Sequence, residues 1–396
     1  MKNKLITLII LFIGISAEAQ NSWTQKANYG GGTEHSAVGL SIGNKGYIGI
    51  GLYSGTEFYE YDPSNDTWTQ KGDFPGLFRL SAVSFTIGTK GYVGTGYDLP
   101  EYPYNDFWEY DPSNDTWTQK ADMPTVGRSQ ATGFSIGNKG YIGTGRNDNT
   151  DLNDFWEYDP SNDTWTQKAN FPGVARYGAF GFSIGTKGYM GSGSSSTNDF
   201  YEYDQASDTW IAKATFPGPA RTFAATFSIG TKGYIGTGNS LNDFWQWNQA
   251  TDVWTQKANF GGAGRMWGIG FAIGNNGYIG TGYTYPLTVY DDFWEYAPDS
   301  LTTSVNEIAN NSDFFIYPNP ASNILHIIPM AIGTQTAQVK IINVFGEEIV
   351  NKQLNSGVNT SDNYRIDVSD LSNGIYVVTV SADKRQVNST KLIIAK

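Results

Sequence analysis

Cysteine is absent from this chain, and only two histidines occur in its 396 residues. No disulfide can hold the fold, and zinc, copper and iron sites lose the ligands they lean on. No metal or other cofactor is therefore expected. Positive charge is also scarce: 26 Lys plus Arg face 38 Asp plus Glu, a formal net charge of -12. That balance argues against nucleic acid, whose phosphates need Lys and Arg to displace counterions. It argues equally against electrostatic docking on an anionic membrane. After Ile15 no stretch is apolar enough to span a bilayer. Signatures of catalysis are missing too: there is no Gly-x-Ser-x-Gly elbow, no phosphate loop and no metal-ligand cluster.

The N-terminus reads as an address. Lys2 and Lys4 precede a short apolar run from Leu5 to Ile15, and Ala17-Glu18-Ala19 fits a small-x-small cleavage site. A signal peptide over residues 1–19 is expected, leaving Gln20 first and no integral membrane segment after removal.

Abundance lies in aromatics, 15% of the chain, and in 47 glycines. The stretch from Asn105 to Ala121 shows how they are used. Phe107-Trp108-Glu109-Tyr110 alternates as a half-buried strand. Asp111-Pro112-Ser113-Asn114-Asp115 is turn chemistry, and Thr116-Trp117-Thr118-Gln119 opens a second strand. The unit returns nearly verbatim from Asn153 to Ala169, with weaker copies at Phe58–Trp68, Phe200–Trp210 and Phe244–Trp254. Its tryptophans, Trp23, Trp68, Trp117, Trp165, Trp210 and Trp254, are spaced by 45, 49, 48, 45 and 44 residues. Each period also holds an Arg-led small-residue strand, a tight turn such as Gly185-Thr186-Lys187-Gly188, and a strand ending Gly-x-Gly. Four short strands per such period predict the blade of a β-propeller.

Residues 20–298 resemble the Kelch-type propellers. The resemblance is carried by the paired glycines closing strand two, by Tyr110, Tyr158 and Tyr203 of strand three, and by the strand-four Trp. This chain has Gly-x-Gly where the family usually has adjacent glycines. The fold expected is all-β: a six-bladed propeller, with first strands starting near Glu34, Arg79, Arg128, Arg176, Arg221 and Arg265. The sixth unit lacks a fourth strand after Tyr296, and Trp23-Thr24-Gln25-Lys26 is an orphan strand that would latch the ring.

Residues 299–312 read as a linker rich in Ser, Thr and Asn. From 313 to 396 alternating strands predict a small β-sandwich. This part resembles the type A C-terminal sorting domain of the type IX secretion system. The matching residues are Tyr317-Pro318-Asn319-Pro320-Ala321, Asn343 to Gly346, Ile366 to Leu371, Asn373-Gly374-Ile375-Tyr376-Val377-Val378, and Lys391-Leu392-Ile393-Ile394. The resemblance implies export through that machinery as a partner, followed by release or surface attachment.

Candidate site residues come from the same repeats. Arg79, Arg128, Arg176, Arg221 and Arg265 begin first strands; Asp106, Asp154, Asp199, Asp243 and Asp292 begin third strands. Pairing between these rings is one reading; free Arg79 and Arg265 awaiting a carboxylate-bearing sugar is the other. The loops between strands two and three vary in length. They carry Tyr97, Tyr102 and Tyr104 in blade two, Arg146 in blade three, and Tyr283, Tyr285 and Tyr290 in blade six. Ring closure would put blades six and two on either side of blade one. Tyrosines among Asp, Asn and Arg suit sugars, and suit protein partners equally. The expected function is that of a secreted or cell-surface binding protein for a glycan or protein ligand. The alternative is a glycan-active enzyme of the sugar epimerase or mutarotase type, which needs a carboxylate or His within the channel mouth.

Overall fold

The computed structural model describes residues 21–99, 102–298, 314–329, 336–343, 348–355, 364–382 and 389–396. The expected signal peptide and linker lie outside the described residues. The chain divides into two compact units, Met1–Asp299 and Ser300–Lys396. Among the described residues all regular structure is β, and no helix is long and apolar enough to cross a membrane.

The repeated hairpin forms for a local reason. Asp111 Oδ1 accepts hydrogen bonds from the backbone N–H and hydroxyl of Ser113, at 2.9 and 2.7 Å. Asp115 then takes a left-handed conformation (φ 55°) that suits Asp and Asn. It accepts the Tyr110 hydroxyl at 2.7 Å and the backbone N–H of Gly72, from the preceding repeat, at 2.9 Å. The turn thus sets the register, Tyr110 opposite Trp117, and fastens one repeat to the next.

The first unit holds six four-stranded antiparallel sheets among its described residues. They are numbered here by the chain order of their innermost strands. Sheet two is typical: Val83–Ile87, Lys90–Gly94, Phe107–Asp111 and Thr116–Lys120. Sheet six differs. Its strands Ile269–Ile273, Asn276–Gly280 and Phe293–Ala297 are completed by Ser22–Lys26, paired from Ser22 opposite Ala297 to Lys26 opposite Phe293. The innermost strands are Val38–Ile42, Val83–Ile87, Thr132–Ile136, Phe180–Ile184, Ala225–Ile229 and Ile269–Ile273. Each lies against those of two neighbouring sheets, and the order of neighbours returns to its start. Between them runs a channel with a cavity of about 180 Å³, ringed by Ala37, Ala82, Ala131, Ala179, Ala224 and Gly268.

Adjacent sheets interlock large against small. The Phe85 ring of sheet two lies where a Cβ on Gly140 of sheet three would stand, 2.3 Å away, so that position must be glycine. Farther out, Phe107 of sheet two meets Trp165 of sheet three edge-on at 4.9 Å. Trp165 Nε1 also donates to the carbonyl of Ala121, at the end of sheet two, at 2.8 Å. The same donation runs from Trp210 to Ala169, from Trp68 to Ala27, and from Trp23 to Ala258. The repeated tryptophans therefore serve packing. Their hydrophobic bodies fill the widening gap, and their one donor is satisfied.

In the second unit, Phe314–Tyr317, Ile324–Pro329 and Tyr364–Asp367 form one sheet. Thr336–Asn343, Glu348–Asn355, Gly374–Ala382 and Ser389–Ile394 form the other. Leu325, Ile327 and Ile366 from the first share a core with Val339, Ile341, Val378 and Leu392 from the second.

Candidate functional site

Each Arg of the repeat stands four residues ahead of an innermost strand, and all five are fully buried. A buried guanidinium needs a complete set of partners, because an unpaired buried charge is strongly destabilising. Arg128 donates from both terminal nitrogens to Asp154, at 2.6 and 2.7 Å. It also donates to the carbonyl of Thr144, the middle residue of a Gly-x-Gly, at 3.1 Å. The other four pair in the same way with Asp106, Asp199, Asp243 and Asp292. For Asp154 and Asp243 burial alone would raise the carboxyl pKa, but the facing Arg outweighs it and holds both below the ordinary carboxylate range. Sheet one has Glu34 in the Arg position. Its buried carboxylate accepts the backbone N–H groups of His35, Tyr53 and Ser54, at 2.7, 3.1 and 2.5 Å.

This geometry corrects the reading of Arg79 and Arg265 as groups free for a ligand. Their nitrogens are committed to Asp106 and Asp292, and aromatic rings cover them. Tyr104 lies over Arg79 at 4.8 Å and Tyr290 over Arg265 at 4.2 Å. Those two tyrosines thus act on buried arginines.

The Gly-x-Gly segments build the mouth of the channel. In sheets two to six their middle residues (Thr95, Thr144, Ser192, Thr237, Thr281) and second glycines all have positive φ, so the chain reverses sharply. There the second glycine donates to the carbonyl of the next sheet's Arg, as Gly96 does to Arg128 at 2.8 Å, or of Glu34 in the case of Gly282. Just beyond, Tyr97, Arg146 and Tyr283 pair with Leu80, Ser129 and Met266, the residues that follow the arginines. From these points short ribbons rise: Tyr97–Asp98 with Tyr102–Pro103, Arg146–Asn147 with Thr150–Asp151, and Tyr283–Thr284 with Thr288–Val289.

One residue further in, the backbone closes on itself. Ser36, Ser81, Gln130, Gly178, Phe223 and Trp267 each lie two residues after the Arg (or Glu34), and all have φ between 52° and 61°. The N–H of each donates to the carbonyl of its counterpart in the preceding sheet. In the order Ser81 to Ser36, Gln130 to Ser81, Gly178 to Gln130, Phe223 to Gly178, Trp267 to Phe223 and Ser36 to Trp267, the distances are 2.9, 3.0, 2.9, 3.0, 3.3 and 3.3 Å. The six make a closed hydrogen-bonded ring around the channel. A left-handed non-glycine residue costs about 1–2 kcal/mol, and five of the six are not glycine.

Side chains divide this ring in two. Sheets one to three contribute Ser36, Ser81 and Gln130. Sheets five and six contribute Phe223 and Trp267, whose rings stack at 4.2 Å. Tyr283 stacks on Trp267 at 5.3 Å, His35 lies 4.9 Å from Tyr283, and Tyr177 continues the row 6.1 Å from Phe223. Burial lowers the His35 pKa, with Glu34 opposing it, which favours the neutral imidazole. Arg146 lies over Tyr177 at 4.8 Å and within 3.4 Å of Asp151. With Tyr97, Gln130 and Asp148 it lines a cavity of about 40 Å³.

Of the loop residues singled out in sequence, Tyr97, Tyr283 and Arg146 thus belong to the mouth. Tyr102 and Tyr285 stand out on the ribbons, 67% and 78% exposed. Sequence reasoning missed Ser36, Ser81, Gln130, Phe223 and Trp267. A signal was present. The repeats align with one another, and the two residues after each Arg vary while the residue beyond them is Ala in four repeats and Gly in the fifth: Leu-Ser, Ser-Gln, Tyr-Gly, Thr-Phe, Met-Trp.

In the second unit the sorting motif clamps the last strand. Asn319 Oδ1 accepts the backbone N–H of Ile393 at 2.8 Å, and Asn373 Oδ1 that of Lys396 at 2.9 Å. Between exposed Pro318 and Pro320 and the core, the fully buried Ala321 bonds Ile393 and Ala395 through its backbone. Tyr317 stacks on His326 at 4.8 Å. Gly374 opens a strand in which Tyr376 packs toward the core and Ile375 faces out. Lys391 pairs with Val377 in the terminal strand.

Residues 315–395 match the secretion system C-terminal sorting domain, and residues 128–172 match the Kelch motif. In structure the chain is similar to YjhT, a Kelch-type propeller, with a TM-score of 0.59 at 18% identity. The match covers 68% of this chain and 95% of that one, and at such identity it speaks for fold alone. No curated protein matches the chain in sequence. The sorting domain implies export by type IX secretion, hence a secreted or cell-surface protein. The chain therefore joins an all-β, propeller-like unit carrying a Kelch motif to a secretion system C-terminal sorting domain.

Proposed function

We propose that this is an exported binding protein whose ligand, a glycan or a protein, is taken at the channel mouth of the first unit. Cleavage after Ala19 and mature domains at 20–298 and 313–396, joined by a linker at 299–312, belong to this reading. The observation that carries it is the contrast between the two channel ends. At one end six equivalent backbone positions hold five different residue types, and ribbons stand over only three of the six sheets. At the other, the turns between first and second strands are near copies, Gly-Asn-Lys-Gly or Gly-Thr-Lys-Gly in five of six. In a repeat protein, diversity gathers where a partner is met. Exposed Tyr102 and Tyr285 extend the candidate surface, with Tyr97, Tyr283 and Arg146 nearer the channel.

Screening the full mature chain on a glycan array, and by pull-down from the extracellular fraction, tests the reading. Saturable binding of one class supports it. Failure of both, with folded protein, contradicts it.

A second reading, a sugar epimerase or mutarotase, is favoured by one observation: a neutral, half-buried imidazole, His35, stands at the mouth. The residues lining the channel cavity offer it no ionisable partner. Polarimetry on anomeric sugars decides. Enzyme-accelerated mutarotation abolished in His35→Gln favours catalysis, and an uncatalysed rate leaves binding.

A further inference from the structure

We infer that the channel mouth takes one neutral pyranose residue of a glycan, with Phe223, Trp267 and Tyr283 as its apolar wall and Ser36, Ser81 and Gln130 as its polar wall. The inference rests on the binding reading above and names a ligand class for it.

The ring positions argue for a ligand because they break the rule of the repeat. Positions that serve only the fold keep one residue type: Arg pairs with Asp, and Trp fills the gap between sheets. The six ring positions share one backbone conformation and one hydrogen-bond pattern, yet hold Ser, Ser, Gln, Gly, Phe and Trp. Apart from Gly178, where the Phe223 ring excludes a Cβ, nothing in the fold asks for that variety.

Unmet hydrogen bonds point the same way. Ser81 Oγ, Gln130 Oε1 and Trp267 Nε1 are buried and find no partner in the protein. Ser81 as a whole is only 9% exposed. A buried polar atom without a partner is costly, and native folds rarely leave several together. The three are a hydroxyl, an acceptor and a donor, shut off from solvent in this structure, and they become the mixture that sugar hydroxyls complement once their side chains turn toward the mouth.

Shape and charge narrow the class. Below the ring the channel is walled by five alanines and Gly268, so a ligand is seated at the mouth. The aromatic row fills one side and the polar residues the other. A pyranose has the same division, with C–H faces for the rings and hydroxyls for the polar arc. Between the arcs, Gly178 lets the Phe223 ring lie close: a Cβ there would stand 2.8 Å from it. Arg79 and Arg265 are sealed in ion pairs, and Arg146 already faces Asp151 and Tyr177. Arg79 and Arg265 are thus closed to a carboxylated sugar, and beside the partly exposed Arg146 the carboxylates of Asp151 and Asp148 oppose a further anion, which favours a neutral one.

The test is calorimetric titration of the full mature chain with maltohexaose, cellohexaose, mannohexaose and xylohexaose. Hexagalacturonate and sialyllactose serve as anionic comparators. At least one neutral oligosaccharide is expected to bind, about tenfold more weakly in Gln130→Ala and in Phe223→Ala, with Lys187→Ala unchanged. Ser81→Ala, which removes an unpaired atom and so leaves the fold intact, is expected to weaken binding as well. Neutral-sugar binding that survives these changes but is lost in Tyr102→Ala with Tyr285→Ala overturns the mouth assignment and leaves the binding reading standing. Binding of the anionic sugars alone overturns the neutral class. Binding of no neutral sugar at millimolar concentration overturns the inference, while a protein captured in the pull-down would keep the broader reading.

Discussion

At the residue scale, stability hangs on buried pairs in which each guanidinium meets its counter-charge through both terminal nitrogens. Asp154→Asn would keep the shape of the Arg128 site while leaving a fully buried guanidinium without its counter-charge. The expected loss is about 3 kcal/mol, read from urea unfolding. The same pair sets an acid limit. The Asp154 and Asp243 pKa values are lowered in the fold, so their contribution is fully present above the ordinary carboxylate pKa, about 3.9. It is lost as pH falls below that value through the depressed folded one. Asp62, Asp111 and Asp159, each bonded to a Lys and a Ser, are pushed down to about 2 and act over the same window. The melting temperature should thus fall gently from pH 7 to about 5, because burial lowers the His35 pKa and the unfolded chain takes up that proton first, and fall steeply below about 4. Asp154→Asn should flatten part of that fall, and an equally steep profile in the variant would contradict the assignment. The arginine and aspartate positions were legible in the sequence because a repeated charge has a repeated partner. The fate of their charge was not, since full burial depends on rings such as Tyr104 and Tyr290 arriving from loops.

At the element scale the outstanding feature is a strand from one end of the unit completing a sheet at the other. Ser22–Lys26 pairs along all of Phe293–Ala297. Trp23 packs on Phe244, Phe260 and Tyr296 at 4.9, 5.0 and 5.0 Å, and Asn21 accepts the Tyr296 hydroxyl at 2.8 Å. Deleting residues 21–27 should expose the Phe293–Ala297 edge and the rings behind it. A large drop in melting temperature, together with oligomers in light scattering, is expected. An unchanged, monomeric protein would show that the strand is dispensable. At an ordinary repeat, Trp165→Ala should cost about 3–5 kcal/mol, because it empties the space beside Phe107 and Tyr158 and leaves the Ala121 carbonyl without its donor. The orphan strand could be read from sequence because a counted repeat came up one strand short. The ribbons around the mouth could not, since Tyr97–Asp98 and Arg146–Asn147 are held by bonds to Leu80 and Ser129, in another part of the chain.

At the scale of the whole molecule, two units divide two tasks. The second unit is the export address, and its motif residues Asn319 and Asn373 pin the terminal strand. Removing residues 313–396 should leave a folded first unit in the periplasm, detected by fractionation. Normal extracellular yield would contradict the role of the tail. The first unit carries the mouth at which we propose a ligand is met. Its repeats were readable because each period must solve the same packing problem. The mouth was hidden because its residues share their structural work through the backbone alone, so their side chains follow no period. The claim that a ligand meets this mouth is tested most directly by hydrogen–deuterium exchange of the full chain, with and without saturating ligand. The account predicts protection in the segments 34–37, 79–82, 128–131, 221–224 and 265–268, and none in the turns 43–45, 88–90, 137–139 and 185–187. Protection of the turns with the mouth unchanged would contradict it.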